Sequence, residues 1–472
     1  MVIPDQIEGR TVSGIGNNAF YNCRSLTNVT IPSGVTTIGD NAFYNCSSLA
    51  NVTIPSVVTT IGNQAFGYCY KLTNVVIPDS VTTLGTYLFW CCDTLASVTL
   101  PDALTTLPNN TFGGCTSLTT IELPNTLTTI GDTAFAGFSS LTNVVIPDSV
   151  TTLGTYLFNG CTCLTTVTLP KGRTTIPTGI FNNCTSLTNV VIPAGVTTIE
   201  DNAFVSCTAL TTVELPNTLT TIKDYAFYNC ASLPSIVIPN SITTLGAGAF
   251  SCCYAFTTIT LPNGLGMISD SCFSECSSLT NLVIPSSVTS IGNSAFASCA
   301  ALTRITIPDT VTSVSDSAFF CCVGLTSATL PSSLTYLPSE IFGYCFNLRA
   351  VYFQGNAPGA DWSAFDCDSD IIFYYRPSTT GWEDLSANTG YPARLWNPTI
   401  QAGTHGFGPH ANGYYFNISG APDIPIQVEA CTNLTQACWE PLLTTTLSNG
   451  SLDFTDASST NFPVRFYRII GP

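Results

Sequence analysis

The chain repeats itself every 23 residues, and this period constrains its fold more than any other feature. From Ile31 to Cys69 it reads IPSGVTTIGDNAFYNCSSLANVTIPSVVTTIGNQAFGYC, so that Pro32 returns as Pro55, Phe43 as Phe66 and Cys46 as Cys69. Pro holds one column at fourteen positions from Pro32 to Pro331, and Phe another at fifteen from Phe20 to Phe342. Leu runs from Leu26 to Leu348 with Phe256 as its exception, and Cys from Cys23 to Cys345 with Phe138 as its exception. A unit this small cannot bury its own apolar residues, so consecutive units must stack, each packing on its neighbours. Such an array lets 472 residues share one elongated core instead of dividing into several globular ones.

Each repeat reads as one coil. In Leu26 to Pro32, LTNVTIP, the apolar Val29 and Ile31 alternate with Asn28 and Thr30, the period of a strand with one buried face. Pro32 lacks the N–H needed to continue the ladder and ends the strand. Val35 and Ile38 point inward on the return leg, and Ala42, Phe43 and Cys46 close the turn. Coils stacked at roughly 4.8 Å then bury Leu26, Val29, Ile31, Val35, Ile38 and Phe43 between neighbours.

The L-x-x-V-x-I core and the fuller consensus L-T-x-V-x-I-P-x-x-V-T-x-I-G-x-x-A-F-x-x-C resemble the BspA-like leucine-rich repeats of bacterial surface and secreted proteins, over about Ile3 to Leu348. The resemblance implies a β-rich solenoid, a right-handed leucine-rich-repeat array with a parallel sheet along one side. It also implies a secreted or cell-surface location and a role in binding proteins or matrix. The first unit, IPDQIEGRTVSGIGNNAF, is similar to a first-unit variant of the same family, which one or two further strands normally precede. Residues 1–348 are therefore read as a solenoid whose first unit is cut, with the signal peptide outside this chain. From Arg349 the period fades, leaving Phe365 as its last echo. Residues 349–398, with GNAP, YYRPSTTGW and LWNP, resemble the capping unit that follows such repeats. Residues 399–472 give short alternating strands and polar turns, a small all-β, sandwich-like C-terminal domain.

The net charge of −17 with only 12 Lys+Arg leaves no basic stripe for a nucleic acid, and no apolar run is long enough for a membrane span. Fourteen of the 22 cysteines form the column from Cys23 to Cys345. Side chains stacked in register point the same way, so this ladder is read as buried thiols acting as small hydrophobes, not disulfides. Cys91, Cys163, Cys252, Cys272 and Cys321 lack evident partners, while Cys431 and Cys438, flanking one turn, are the better disulfide candidates. His405 and His410 fall in a Gly-rich linker without an adjoining acidic or Cys ligand. Asp366, Asp368 and Asp370 start like a calcium loop but lack its Gly and final Glu. Without a nucleophile elbow, zincin motif, P-loop or paired carboxylates across a cleft, no catalytic, cofactor or metal site is expected, and the chain reads as a non-enzyme.

What remains is surface. The outward positions of the strand leg form uncharged columns, among them Asn28, Asn51, Asn74, Thr120 and Asn143 in one, and Thr30, Thr53 and Thr99 in the other. Solenoids use such extended faces for recognition. Arg304, Arg349 and Tyr352 fall at the C-terminal end of the same face as candidate anchors. Two other readings compete: self-association through solenoid ends into a filament or surface layer, and carbohydrate binding through the tail aromatics Trp439, Tyr414 and Tyr415. The buried Phe column is open to a direct test. Phe181→Ala is expected to cost about 3–5 kcal/mol in chemical denaturation, and near-normal stability would contradict its place in the core.

Overall fold

The computed structural model describes residues 1–402, 407–410, 412–434 and 438–471. They fall into two compact units, Met1–Ser278 and Leu279–Pro472.

The first unit is solenoid throughout. Strands of three residues, Asn28–Thr30, Asn51–Thr53, Asn74–Val76 and Ser97–Thr99, run parallel in one sheet. Their register is one repeat, with Asn28 beside Asn51, Val29 beside Val52 and Thr30 beside Thr53. The central Val29, Val52 and Val75 are buried and their neighbours exposed, as the period-two alternation requires. A second ladder of two-residue strands, such as Thr37–Ile38 beside Thr60–Ile61, forms the return leg. The strand-leg sheet is not continuous. No strand forms at residues 119–122, and pairing lapses between Thr212–Glu214 and Ser235–Val237. Pro234 accounts for part of the second lapse. Thr211 N–H donates to the Thr188 carbonyl at 3.0 Å, and Pro234, one repeat later, has no N–H to give.

The turn that carries Phe and Cys closes its hydrogen bonds alternately. The amides of Asn41, Phe43 and Asn45 donate to the carbonyls of Asn63, Ala65 and Gly67 in the next coil, each at 2.8 Å. Those of Ala42, Tyr44 and Cys46 donate locally, three residues back. The alternation needs left-handed backbone at two columns. One runs through Asn18, Asn41, Gln64 and Tyr87, the other through Asn22, Asn45, Tyr68 and Cys91, all with φ between 53° and 59°. Gly, Asn and Ser recur there because they tolerate this conformation. Cys91 and Cys252 owe their positions to the second column.

Inside, the Phe rings stack as a column, with centroids 5.1 Å apart for Phe20 and Phe43 and 4.9 Å for Phe204 and Phe227. Where Phe138 replaces Cys it meets Phe135 edge-on, and the neighbouring Phe112–Phe135 spacing opens to 6.4 Å. From Cys46 onward the ladder cysteines are buried, and they also donate. Cys46, Cys69 and Cys92 Sγ lie 3.1–3.3 Å from the carbonyls of Phe20, Phe43 and Phe66. Each thiol therefore satisfies a turn carbonyl that a plain hydrophobe would leave with one bond fewer.

In the second unit the coils continue through the stacked Phe296, Phe319, Phe342 and Phe365, the last pair 5.8 Å apart. A five-stranded parallel sheet joins Arg304–Thr306, Ser327–Leu330, Ala350–Phe353, Ile372–Tyr375 and Ala393–Leu395. Its middle strand Ala350–Phe353 is buried on both faces. Tyr352, Tyr374 and Trp396 point outward into one apolar cluster with Phe416, Ile418, Ile426 and Phe454 of the tail. One helix, Trp382–Thr389, is bounded by Gly381 and Gly390, both at positive φ, and buries Trp382 and Leu385. The tail consists of two antiparallel sheets. One contains Thr399–Gln401, Gly408–His410, Gly413–Ser419 and Ser451–Asp456; the other contains Ile424–Cys431, Glu440–Leu447 and Phe466–Ile470.

Arg173 is the misfit of the first unit. It occupies the column of Val150 and Val196, buried, with Nη1 donating to the Thr151 carbonyl at 2.7 Å and Nε without a partner. Burial holds its pKa below the usual guanidinium value. Arg173→Val is expected to stabilise the solenoid by about 1–2 kcal/mol, read as a higher urea midpoint.

Candidate recognition face

The strand leg presents two outward columns. Asn28, Asn51, Asn74, Thr120 and Asn143 are exposed in the first, and Thr30, Thr53 and Thr99 in the second. The structure adds a third component: valines interleaved in the second column. Val76 is 63 % and Val237 84 % exposed, and Val145 and Val191 stand out in the same way. Neighbouring coils place Thr99, Glu122, Thr168 and Glu214 between them. Exposed valines recurring in one column of a polar sheet differ from apolar residues scattered singly. They were present in the sequence as Val76 and Val145, but the strand alternation alone did not separate a solvated β-branched residue from a contact residue.

A shallow cleft of about 330 Å³ opens on this face among Asn51–Ile54 and Asn74–Val76. There the ladder loosens: only Asn51 and Asn74 remain in register, whereas Ser97, Val98 and Thr99 all pair with Asn74, Val75 and Val76 on the other side. Buried Val52, Ile54 and Val75 form its floor.

The return-leg threonines are differently employed. Thr36, Thr59, Thr128 and Thr151 donate their hydroxyls to carbonyls of the preceding coil at 3.0–3.3 Å. Acidic residues are similarly occupied. Asp40 Oδ1 accepts the Asn63 N–H at 2.7 Å, and Asp132 Oδ1 the Thr155 N–H at 2.7 Å. These carboxylates, scattered on outer positions by sequence, are caps between coils.

The anchor cluster expected near Arg304 does not assemble. Tyr352 is only 2 % exposed, because tail residues such as Phe416, Ile418 and Ile426 pack in one cluster with it and Tyr374. Arg349 is exposed, but its Nη1 donates to the carbonyls of Phe346, Leu348 and Ser369 and serves as a local clasp. Arg304 is exposed at its strand. In the tail, Tyr415 is buried and Trp439 lies beneath the Arg468 guanidinium, 4.3 Å from ring centroid to Cζ. Cys431 carries a free, buried thiol, so the disulfide expected from its spacing to Cys438 is not formed. His405 lies outside the described residues, and His410 is exposed on the tail. Among the described residues no group of three or more His, Cys, Asp or Glu is arranged to hold a metal. No described helix is long and apolar enough to cross a membrane.

The family model described as BspA type Leucine rich repeat region (6 copies) matches residues 6–118, 83–211, 174–289 and 266–380. The chain belongs to this family. A leucine-rich repeat protein from Bacteroides ovatus is 26 % identical with a TM-score of 0.60, over 79 % of this chain and 93 % of its own. A leucine rich cell surface protein from Faecalibacterium prausnitzii is 32 % identical, over 78 % of this chain and 90 % of its own, with a TM-score of 0.43. No curated protein matches the chain.

The titratable chemistry is that of a core. Burial pushes Cys46, Cys161 and Cys322 up to about 12, which keeps these thiols protonated and unreactive. Asp368 is the exception that titrates. It sits one repeat after Cys345 with both carboxyl oxygens buried, and burial raises it from 3.8 to about 7 against the pull of the Cys345 backbone and Arg349. A folded-state pKa raised above the unfolded one gives stability that is present below about pH 4 and lost as pH rises through about 7. Asp368→Asn is expected to remove this pH dependence, measured as the denaturant midpoint across that window. A midpoint that still falls in the variant would assign the effect elsewhere.

Proposed function

We propose that this is a secreted or cell-surface binding protein that recognises a protein or matrix ligand through the outward face of its strand leg, without catalysis. The observation that carries the reading is the column in which exposed Val76, Val145, Val191 and Val237 are interleaved with Thr99, Glu122, Thr168 and Glu214. Apolar side chains held on a rigid ladder lose little conformational freedom on binding, and Asn neighbours supply hydrogen bonds without charge desolvation. Membership of a repeat family that includes a cell-surface relative supports the location.

The test is a triple substitution, Val76→Lys, Val145→Lys and Val191→Lys, at positions exposed enough to leave the fold intact. Partners captured from the native environment by the unmodified chain are expected to be lost by the variant while its thermal melt stays unchanged. Partners retained by the variant would remove the strand leg as the recognition surface. Light scattering over a concentration series distinguishes a filament, since growth with concentration would make the ligand a second copy of the chain.

A further inference from the structure

The tail contains a pocket of about 330 Å³, walled by Tyr414, Ser459, Phe462, Arg465 and Tyr467, with His410 at its rim. Ser459 and Thr460 come from the 3-10 turn Ala457–Asn461. Asp456 caps that turn, with Oδ1 accepting from Ser458 N at 3.0 Å and Ser458 Oγ at 2.7 Å. Its other oxygen accepts the Tyr467 hydroxyl at 3.0 Å and lies 2.9 Å from Arg465 Nε. Glu440 pairs with Arg465 Nη2. The Phe462 ring covers the guanidinium, 4.3 Å from Cζ.

The side chain of Arg465 is only 4 % exposed, and its Nη1 has no hydrogen-bond partner. A buried guanidinium N–H without an acceptor is costly, and at the wall of a pocket it marks where a ligand oxygen would sit. The charge balance selects the kind of oxygen. Asp456 and Glu440 together outweigh the single positive charge of Arg465, on a chain of net charge −17. A further anion would be repelled, whereas a neutral hydroxyl or ring oxygen would not. The Ser459 hydroxyl and His410 supply groups that both donate and accept, and the rings of Phe462, Tyr414 and Tyr467 supply apolar walls. An apolar face edged with hydroxyls is the chemistry of a pyranose. The volume lies at the small end of ligand pockets, about 300–1,000 Å³, which suits one or two sugar rings better than a folded partner.

We propose that the pocket at Arg465 binds the end of a neutral glycan, with Nη1 donating to a sugar oxygen as Phe462 yields its cover. Neither Trp439, half-buried under Arg468, nor the buried Tyr415 lines this pocket. The full chain is titrated with glucose, galactose, mannose, N-acetylglucosamine and their disaccharides by saturation-transfer NMR, with sialyllactose as the anionic comparison. At least one neutral sugar is expected to bind with millimolar or tighter affinity. Thr460→Trp, at an exposed rim position, fills the pocket without touching the ion pairs and should weaken binding at least about tenfold. Arg465→Lys keeps a charge beside Asp456 but removes Nη1 and should do the same, while Trp439→Ala should bind normally. Absence of any neutral-sugar signal, tighter binding of sialyllactose, or full affinity in Thr460→Trp would each overturn the proposal; the Thr460→Trp result decides even if Arg465→Lys fails to fold.

Discussion

Closure of each coil's backbone hydrogen bonds by the next coil is the constraint on which everything else rests. Asn41, Phe43 and Asn45 can donate forward only if the turn they occupy has one shape in every repeat. That shape fixes the spacing at 23 residues, and the spacing puts like beside like. Phe stacks on Phe, and Cys Sγ reaches back to the carbonyl of a Phe in the preceding coil, as Cys69 does to Phe43. An insertion inside the turn would break the forward bonds of two coils at once. Departures are consequently substitutions, not changes of length. Phe138 turns edge-on, Arg173 finds one carbonyl, and Asp368 keeps the place of a thiol at the cost of a buried carboxyl.

The same constraint explains why the cysteine column from Cys46 to Cys345 holds free, buried thiols. A disulfide needs side chains that converge, and a ladder in register makes them parallel. Burial then removes the thiolate, which is the reactive form. The column uses sulfur for size and for one weak hydrogen bond per coil, and Phe138 shows that bulk can replace both when the neighbouring rings make room.

Most of the fold was legible because period and column identity are local properties of the sequence. The strand at Asn28–Thr30, the break at Pro32, the buried Phe column and the echo at Phe365 all follow from residues within one repeat of each other. The left-handed columns were less legible: Asn22 and Asn45 hint at them, but Tyr68, Cys91 and Glu275 stand in the same position and obscure the pattern. Long-range packing was not legible at all. Tyr352 alternates like any outward strand residue, and only the docking of Phe416, Ile418 and Ile426 against it shows that its side is covered. Arg349, likewise, looks available until three carbonyls are found around its Nη1. The pocket at Arg465 joins residues from three strands and a turn with no shared motif.

The partners of the hydroxyl groups then separate structure from recognition on the strand leg and return leg of the first unit. The threonines at 36, 59, 128 and 151 donate their hydroxyls to the preceding coil, so their regularity is a consequence of stacking. Solvating a β-surface would not by itself require valine in a column where Thr30, Thr53 and Thr99 already serve, because Thr and Val have nearly the same shape and similar strand preference. Exchanging that hydroxyl for a methyl group at Val76, Val145, Val191 and Val237 therefore adds nothing the coil needs and makes exposure to water less favourable. Under the proposed function that penalty is offset where another surface covers the methyl groups, which is why the valines, and not the far more numerous threonines, carry the proposal.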